Sequence, residues 1–262
     1  MKNGFLILFG CLIIIYPISI FAEEPIFITK SSTMNKIIFD GKWSFETEWK
    51  QSSLKEINTE NGIIYLRISH QDEFVFVFLD VLPDKQMDRI ADKSIICFDT
   101  KNNKSEYPDT DDYCFVAAMG KQTGMTLQGG SKIPTNNYFK NIKNHQDMIA
   151  IGGMSDKHDR YTKTPHASYE FKIPTELIGR SDNYGFYTSV FDYNSEKVFS
   201  WPSIDSKKSH IIPSPSKWGD VISPDKTLPE MPLPLVILSV LLISVIGITR
   251  KMGFSRSGYQ VG

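Results

Sequence analysis

Short apolar runs separated by polar, glycine-rich or proline-containing stretches repeat along the middle of the chain. The runs lie at residues 63–69, 74–81, 123–128, 148–154, 167–173, 185–192 and 198–201. They are rich in β-branched and aromatic residues, which is typical of strands. The run 74–81 is apolar on both alternating faces, so we expect a central strand that is buried on both sides.

Helical patterns are almost missing from the same region. Only residues 174–179, with a proline near the start and a glycine at the end, predict a single helical turn. The apolar run 37–39, followed by Asp40 and Gly41, predicts one more strand that ends in a turn. About ten short strands with so little helix predict an all-β fold, an antiparallel β-sandwich of the jelly-roll or immunoglobulin type.

Two apolar runs, 95–98 and 113–116, flank a long polar segment and predict an antiparallel hairpin. If Cys97 lies opposite Cys114, the same register places Asp99 opposite Asp112 on the same face of the sheet. Facing cysteines in a non-hydrogen-bonded pair are close enough to form a disulfide. We therefore predict a Cys97–Cys114 disulfide, with a reduced pair as the alternative.

Facing carboxylates repel each other unless a cation lies between them. Asp109 and Asp111 stand beside Asp99 and Asp112 in the predicted loop, and carboxylate oxygens are the ligands that Ca²⁺ prefers. We predict a calcium-type site at these four residues, although their spacing fits no EF-hand loop. The alternative is a solvated acidic loop without an ion.

Both ends of the chain have the composition of targeting or membrane segments. Residues 1–22 combine Lys2, the apolar run 5–21 and a cleavage point at Ala22, which predicts a secretory signal peptide, with an uncleaved anchor as the alternative. The uncharged run 233–249 predicts a transmembrane helix, and the basic tail 250–262 predicts a cytoplasmic C-terminus. Between them lie the predicted domain, residues 23–222, and a proline-rich linker, residues 223–232.

This arrangement predicts a single-pass cell-membrane protein that displays one domain at the cell surface. Cysteine usage is consistent with export, because Cys11 would leave with the signal peptide and the other two cysteines would form one pair. The formal net charge is −1, and no strongly basic cluster occurs outside the tail. These features argue against a nucleic-acid partner.

The order of several short motifs resembles that of the family 9 carbohydrate-binding modules and their DOMON-like relatives, over about residues 37–221. The motifs are Phe39-Asp40-Gly41-Lys42-Trp43, Trp49, Tyr65-Leu66-Arg67-Ile68, Phe76-Val77-Phe78, Cys97-Phe98-Asp99, Asp111-Asp112-Tyr113, Tyr169-Glu170-Phe171-Lys172-Ile173-Pro174, Gly185-Phe186, Ser200-Trp201-Pro202 and Trp218-Gly219. The resemblance implies a β-sandwich that binds glycans without cleaving them. It also implies structural calcium in many members and a haem in some.

Members that bind sugars hold the ligand against aromatic rings, because the C–H face of a pyranose packs on a π-surface. Trp43 and Trp218 stand beside turns and polar residues, so they are the candidate carbohydrate-binding residues, with a purely structural role as the alternative. Trp201 is expected in the core.

Three other interpretations remain open. A haem or electron-transfer domain would draw axial ligands from Met119, Met125, Met148 or Met154. A zinc site would use His158, Asp159 and His166. A structural surface-layer component would need no ligand.

The chain has no GxSxG, HExxH or phosphate-binding glycine loop, and no pattern selects a pair of glycosidase carboxylates. We therefore predict that the protein is not an enzyme.

Overall fold

The computed structural model describes residues 23–204 and 212–224, and their strands form two sheets that pack face to face. The larger sheet contains β1 (Ile26–Phe27), β5 (Lys93–Asp99), β6 (Asp112–Ala118), β7 (Met125–Gln128), β8 (Lys140–Ile142), β11 (Asn183–Asp192), β12 (Lys197–Trp201) and β13 (Gly219–Ile222). The smaller sheet contains β2 (Ser53–Thr59), β3 (Gly62–Gln71), β4 (Phe74–Val81), β9 (Ile149–Met154) and β10 (Ala167–Pro174). A single helical turn, α1 (Thr175–Ile178), follows β10.

The larger sheet has eight strands in the order β1-β13-β11-β5-β6-β7-β8, with β12 also paired to β11. The smaller sheet has five strands in the order β2-β3-β4-β10-β9. Neighbouring strands are antiparallel except for the parallel pair β1 and β13. The predicted antiparallel β-sandwich and the helical turn are therefore confirmed.

Side-chain alternation along β4 explains why this strand is apolar on both faces. Val75, Val77 and Leu79 point between the sheets into the main core, whereas Phe76 and Phe78 point to the outer face of the smaller sheet. All of them are buried, and β4 is the middle strand of its sheet. The prediction of a central strand buried on both sides is confirmed.

A covering segment, residues 31–52, lies on the outer face of the smaller sheet and buries Phe76 and Phe78. It packs Met34, Trp43 and Trp49 on these rings. The predicted strand at residues 37–39 is wrong, since these residues belong to the covering segment and form no ladder. The apolar side chains at 37–39 belong to a segment that covers the outer face of the smaller sheet, and they do not form a strand of it.

A buried carboxylate on β10 anchors the covering segment to the sheet. Glu170 Oε2 accepts hydrogen bonds from the backbone N–H groups of Asp40 at 2.9 Å and Gly41 at 2.7 Å, and Oε1 accepts one from Trp49 Nε1 at 3.2 Å. Gly41 has φ +82°, and a Cβ built there would lie 2.6 Å from the backbone nitrogen of Gly153. The predicted turn at Asp40 and Gly41 thus brings the chain against the sheet at a point where only glycine fits.

The outer face of the larger sheet carries a second, smaller apolar cluster. It contains Cys97, Cys114, Val116, Leu127, Phe139, Tyr187, Ile212 and Trp218. Trp201, in contrast, is buried in the main core between the sheets, as the sequence predicts.

The predicted signal peptide (residues 1–22), transmembrane helix (233–249), basic tail (250–262) and nearly all of the linker lie outside the described residues. Within the two described ranges, no helix is long and apolar enough to cross a bilayer.

Candidate functional site

The β5–β6 hairpin has the register that the sequence predicts. Cys97 pairs with Cys114 and Asp99 pairs with Asp112 across the two strands. The two cysteines form a disulfide, with their Cα atoms 4.1 Å apart. The hairpin and its disulfide are therefore confirmed.

Three carboxylates meet at the base of the hairpin loop, and we call Asp99, Asp111 and Asp112 the acidic hairpin cluster. One oxygen of each lies within 4.8 Å of the others, and all three residues are buried. Burial, together with the neighbouring negative charges, raises the pKa of Asp112 to about 8. The three carboxyl groups are therefore too close and too well buried to be ionised together unless a proton or a cation lies among them.

Two oxygens of this cluster, Asp111 Oδ2 and Asp112 Oδ1, are buried without a hydrogen-bond partner. Lys101 Nζ lies 3.2 Å from Asp111 Oδ1 and supplies one positive charge from the exposed side. Asp109, the fourth predicted ligand, lies beside the cluster, but its Oδ2 accepts a hydrogen bond from Asn103 Nδ2 at 3.1 Å and its Oδ1 accepts one from the N–H of Asp111. The structure thus brings together three of the four predicted ligands.

The long loop between β5 and β6 is held by the same carboxylates. Asp99 accepts hydrogen bonds from the backbone N–H groups of Asn103 at 3.2 Å and Lys104 at 2.8 Å. Lys104 Nζ in turn donates to the carbonyl oxygens of Trp218 at 2.8 Å and Gly219 at 2.7 Å. The loop conformation therefore depends on both the cluster and the start of β13.

Two tyrosines project from this end of the larger sheet. Tyr107, in the β5–β6 loop, is 64% exposed, and its ring meets that of Tyr138 edge to face at a centroid distance of 5.3 Å. Gln128 Nε2 nearby donates to the carbonyl oxygen of Thr110 and to the hydroxyl of Tyr113. Sequence analysis missed both tyrosines, because loop aromatics carry no spacing signal.

The two tryptophans predicted to bind a sugar lie on opposite outer faces of the sandwich. Trp43 is 0% exposed beneath Tyr161 and Arg67, whereas Trp218 is 4% exposed and stacks with Tyr187 and Phe139. Their indole N–H groups donate to backbone carbonyl oxygens, of Phe45 and Pro213 respectively. They do not come together, and neither has an open ring face.

A second acidic cluster, Asp84, Asp92 and Asp192, was missed by the sequence analysis. Its carboxylates also lie within 4.8 Å of one another and are buried, and burial raises the pKa of Asp84 to about 7. Asp84 and Asp92 follow β4, whereas Asp192 ends β11. Their sequence separation explains why no local pattern pointed to them.

The predicted zinc residues are only partly brought together. Asp159 and His166 approach each other, but His158 is exposed and outside the cluster. Asp80 from β4 takes its place, and we call Asp80, Asp159 and His166 the mixed cluster. The sequence does not indicate Asp80 as a ligand, because this residue lies within the apolar strand β4.

The mixed cluster also includes contacts that resemble a nucleophile-base-acid relay. Ser155 Oγ lies 2.9 Å from His166 Nδ1, and His166 Nε2 contacts Asp80. However, Ser155 is buried, and its hydroxyl already accepts a hydrogen bond from the backbone N–H of His166 at 3.0 Å. A substrate therefore has no approach to this hydroxyl in the structure.

The methionines of the haem interpretation pack mainly as core residues. Met119 and Met148 are buried in the main core and Met154 packs against it, whereas Met125 is 45% exposed. Thioether side chains on strands commonly fill such space. Nothing in their placement gathers them around one ligand.

A groove of about 780 Å³ lies between the edges of β2 and β12. Charged and hydroxyl side chains dominate its lining, including Lys55, Glu56, Lys197 and Ser200. Its aromatic residue, Phe199, is buried, so the groove lacks an exposed ring.

No protein-family model matches the chain, and no curated protein matches its sequence. Two solved structures of a family 9 carbohydrate-binding module from Caldicellulosiruptor kristjanssonii have a similar fold. One, in complex with cellotriose, is 12% identical with a TM-score of 0.49, and the match covers 76% of this chain and 93% of that chain. The other, in complex with glucose, is 11% identical with a TM-score of 0.47, and the match covers 76% of this chain and 95% of that chain. The likeness is one of fold alone.

Proposed function

We propose that this domain binds carbohydrate at the loop end of the β5–β6 hairpin and does not cleave it. The observation that carries the proposal is the exposed ring of Tyr107, set edge to face against Tyr138. The resemblance of the motif order to that of the family 9 modules supports glycans as the ligand class. Trp43 and Trp218 are not the preferred residues in this proposal, because both are buried.

The chemistry of the loop suits a sugar. An exposed tyrosine ring offers a flat surface to the C–H face of a pyranose, and its hydroxyl and nearby amides bind the sugar hydroxyls. Asn103 and Gln128 supply amides close to the loop, each already oriented by a hydrogen bond to it. The groove between β2 and β12 offers polar groups but no comparable ring.

We further propose that Ca²⁺ occupies the acidic hairpin cluster and holds this loop in place. The unpartnered oxygens of Asp111 and Asp112 support this, since buried carboxylates without partners are costly and a hard cation satisfies them. Asp99 connects the cluster to the loop backbone through Asn103 and Lys104. Loss of the ion is therefore expected to disturb the loop that carries Tyr107.

The test is calorimetric titration of the protein with the glycans selected by an array that includes glucose and cellotriose, in Ca²⁺ and again in EDTA. Tyr107→Ala is expected to weaken binding about tenfold or more, because a central aromatic contact commonly contributes over 1 kcal/mol. Tyr193→Ala is the matched control, since Tyr193 is 57% exposed but stands in the β11–β12 turn.

Equal loss in the two variants, or no loss in Tyr107→Ala, would refute the site. Binding that weakens after Lys197→Ala but not after Tyr107→Ala would move the ligand to the β2–β12 groove. Absence of saturable binding to any glycan, with and without Ca²⁺, would refute the function itself.

We also propose that the domain is exported and held at the cell membrane. The supporting observations are the apolar N-terminal stretch of residues 1–22 and the uncharged run 233–249 followed by basic residues. Membrane fractionation with alkaline extraction tests this. Recovery of the intact chain in the alkaline supernatant would refute the anchor.

A further inference from the structure

The mixed cluster lies on the outer face of the smaller sheet, away from the hairpin. Asp80 comes from β4, Asp159 from the loop after β9, and His166 from the residue before β10. Ligand atoms of the three side chains lie within 4.8 Å of one another, and His166 Nε2 is 3.9 Å from Asp159 Oδ2. All three side chains are at most 1% exposed.

The tautomer of His166 is set by its backbone neighbours. Nδ1 lies 2.8 Å from the carbonyl oxygen of Thr164, which can only accept a hydrogen bond, so Nδ1 carries a proton. Nε2 faces Asp159 and contacts Asp80 Oδ1 directly, so without an ion one proton lies between Nε2 and Asp80, and a bound cation would replace that proton. An imidazole that donates one N–H to a backbone carbonyl and presents its other nitrogen to carboxylates has the usual arrangement of a metal ligand.

The two carboxylates are also aimed at a common point. Asp159 Oδ1 accepts hydrogen bonds from the backbone N–H groups of Tyr161 at 2.8 Å and Thr162 at 3.0 Å, which fixes the direction of Oδ2. Asp159 Oδ2 and Asp80 Oδ2 are buried and have no hydrogen-bond partner. Two such oxygens in one small space are costly unless a cation or protons lie between them.

We propose that Asp80, Asp159 and His166 bind one divalent cation of the zinc type. Two carboxylates and a neutral imidazole carry two negative charges, which one divalent ion balances. A nitrogen ligand beside two oxygens favours Zn²⁺ over Ca²⁺, which prefers oxygen ligands throughout. Three protein ligands leave a fourth position for water.

Arg67 on β3 does not compete for this position, because its donors are used elsewhere. Arg67 donates to the hydroxyl of Tyr161 and to the carbonyl oxygens of Trp49 and Ser52, and its guanidinium lies 5.3 Å from the ring of Trp43. Among the described residues, His166 is the basic side chain that forms an ion pair with Asp80 or Asp159. The ion would therefore fasten the loop carrying Tyr161 onto β4.

The test uses the purified full-length chain, stripped with dipicolinate and EDTA and then titrated with Zn²⁺ and, separately, with Co²⁺ as a spectroscopic probe. One equivalent of Zn²⁺ is expected to bind and to raise the thermal midpoint by about 5–10 °C at a concentration one hundred times the dissociation constant. Calcium in hundredfold excess should not displace it, which separates this site from the two acidic clusters.

Asp159→Asn keeps the shape of the side chain and is expected to abolish the Zn²⁺-dependent rise and the visible absorption of bound Co²⁺. Asp156→Asn is the matched control from the same loop, because Asp156 pairs with Lys42 on the surface and does not face the cluster. The proposal is overturned if wild type binds no Zn²⁺, if Ca²⁺ displaces it, or if Asp159→Asn binds it as wild type does. Glycan binding plays no part in these readouts.

Discussion

The Cys97–Cys114 disulfide joins adjacent strands of the larger sheet and closes a loop with a sequence separation of 17 residues. In the chain-entropy description, a link across a loop of this length stabilises the folded state by about 3 kcal/mol, because it restricts the unfolded chain. For a domain of this size, about 3 kcal/mol corresponds to roughly 6–12 °C in the thermal midpoint. We therefore expect reduction to lower the midpoint by that amount.

The assay compares the oxidised protein with protein refolded under reductant, after a thiol count has verified reduction. This comparison isolates the covalent link, because reduction removes no side-chain atoms from the apolar cluster that Cys97 and Cys114 form with Val116 and Leu127. The double variant Cys97→Ala/Cys114→Ala loses packing as well as the link, so its midpoint should be lower still. Reductant should have no effect on that variant.

A midpoint that falls by less than about 2 °C on reduction would refute the reasoning. It would mean that the unfolded chain is no freer without the link, or that the reduced hairpin regains the lost energy through other contacts. The reductant insensitivity of the double variant keeps this result from being confused with effects elsewhere in the chain.

Two further predictions concern buried carboxyl groups. Because the pKa of Asp112 is raised from 3.8 to about 8, the folded state keeps a proton that the unfolded state loses near pH 4; in EDTA, the free energy of unfolding should therefore fall between pH 4 and pH 8. Asp112→Asn should make this fall shallower in denaturant titrations without removing it, because the pKa of Asp84 is also raised, to about 7; an unchanged slope would contradict the assignment. Glu170→Gln should cost about 1–3 kcal/mol, because an amide N–H₂ group cannot accept from all the donors that converge on this carboxyl. Glu46→Gln, an exposed change in the same covering segment, should cost less than about 0.5 kcal/mol, and equal losses would count against the buried hydrogen bonds.

Local sequence patterns were enough to predict the β5–β6 hairpin and most of the strands. The register of β5 and β6 follows from side-chain alternation, because Cys97 and Asp99 are two residues apart and so are Asp112 and Cys114. β2 was missed because its alternating residues are largely polar or charged at an edge of the sheet.

The candidate sites were less predictable, because they depend on contacts between distant parts of the chain. The local sequence around a tryptophan beside a turn does not distinguish an exposed ring from a buried one. Only the packing of Tyr161 and Arg67 on Trp43 shows that this ring is covered. Asp80 interrupts an apolar strand without any local reason, and its partners Asp159 and His166 come from beyond β9. The exposure of Trp43 and the grouping of Asp80 with Asp159 and His166 therefore depend on packing between distant parts of the chain.

The parallel pairing of β1 and β13 has a mechanical consequence. Ile26 lies beside Val221 and Phe27 beside Ile222, and the N–H of Ile28 donates to the carbonyl oxygen of Ile222 at 2.8 Å. Suppose that the chain is pulled in opposite directions at the N-terminal side of β1 and the C-terminal side of β13. Because the two strands are parallel, they then slide along each other, and their hydrogen bonds carry the load together instead of breaking one after another. Resistance to stretching would therefore begin at this short pair of strands, and the rest of the sandwich would be loaded only after the pair had parted.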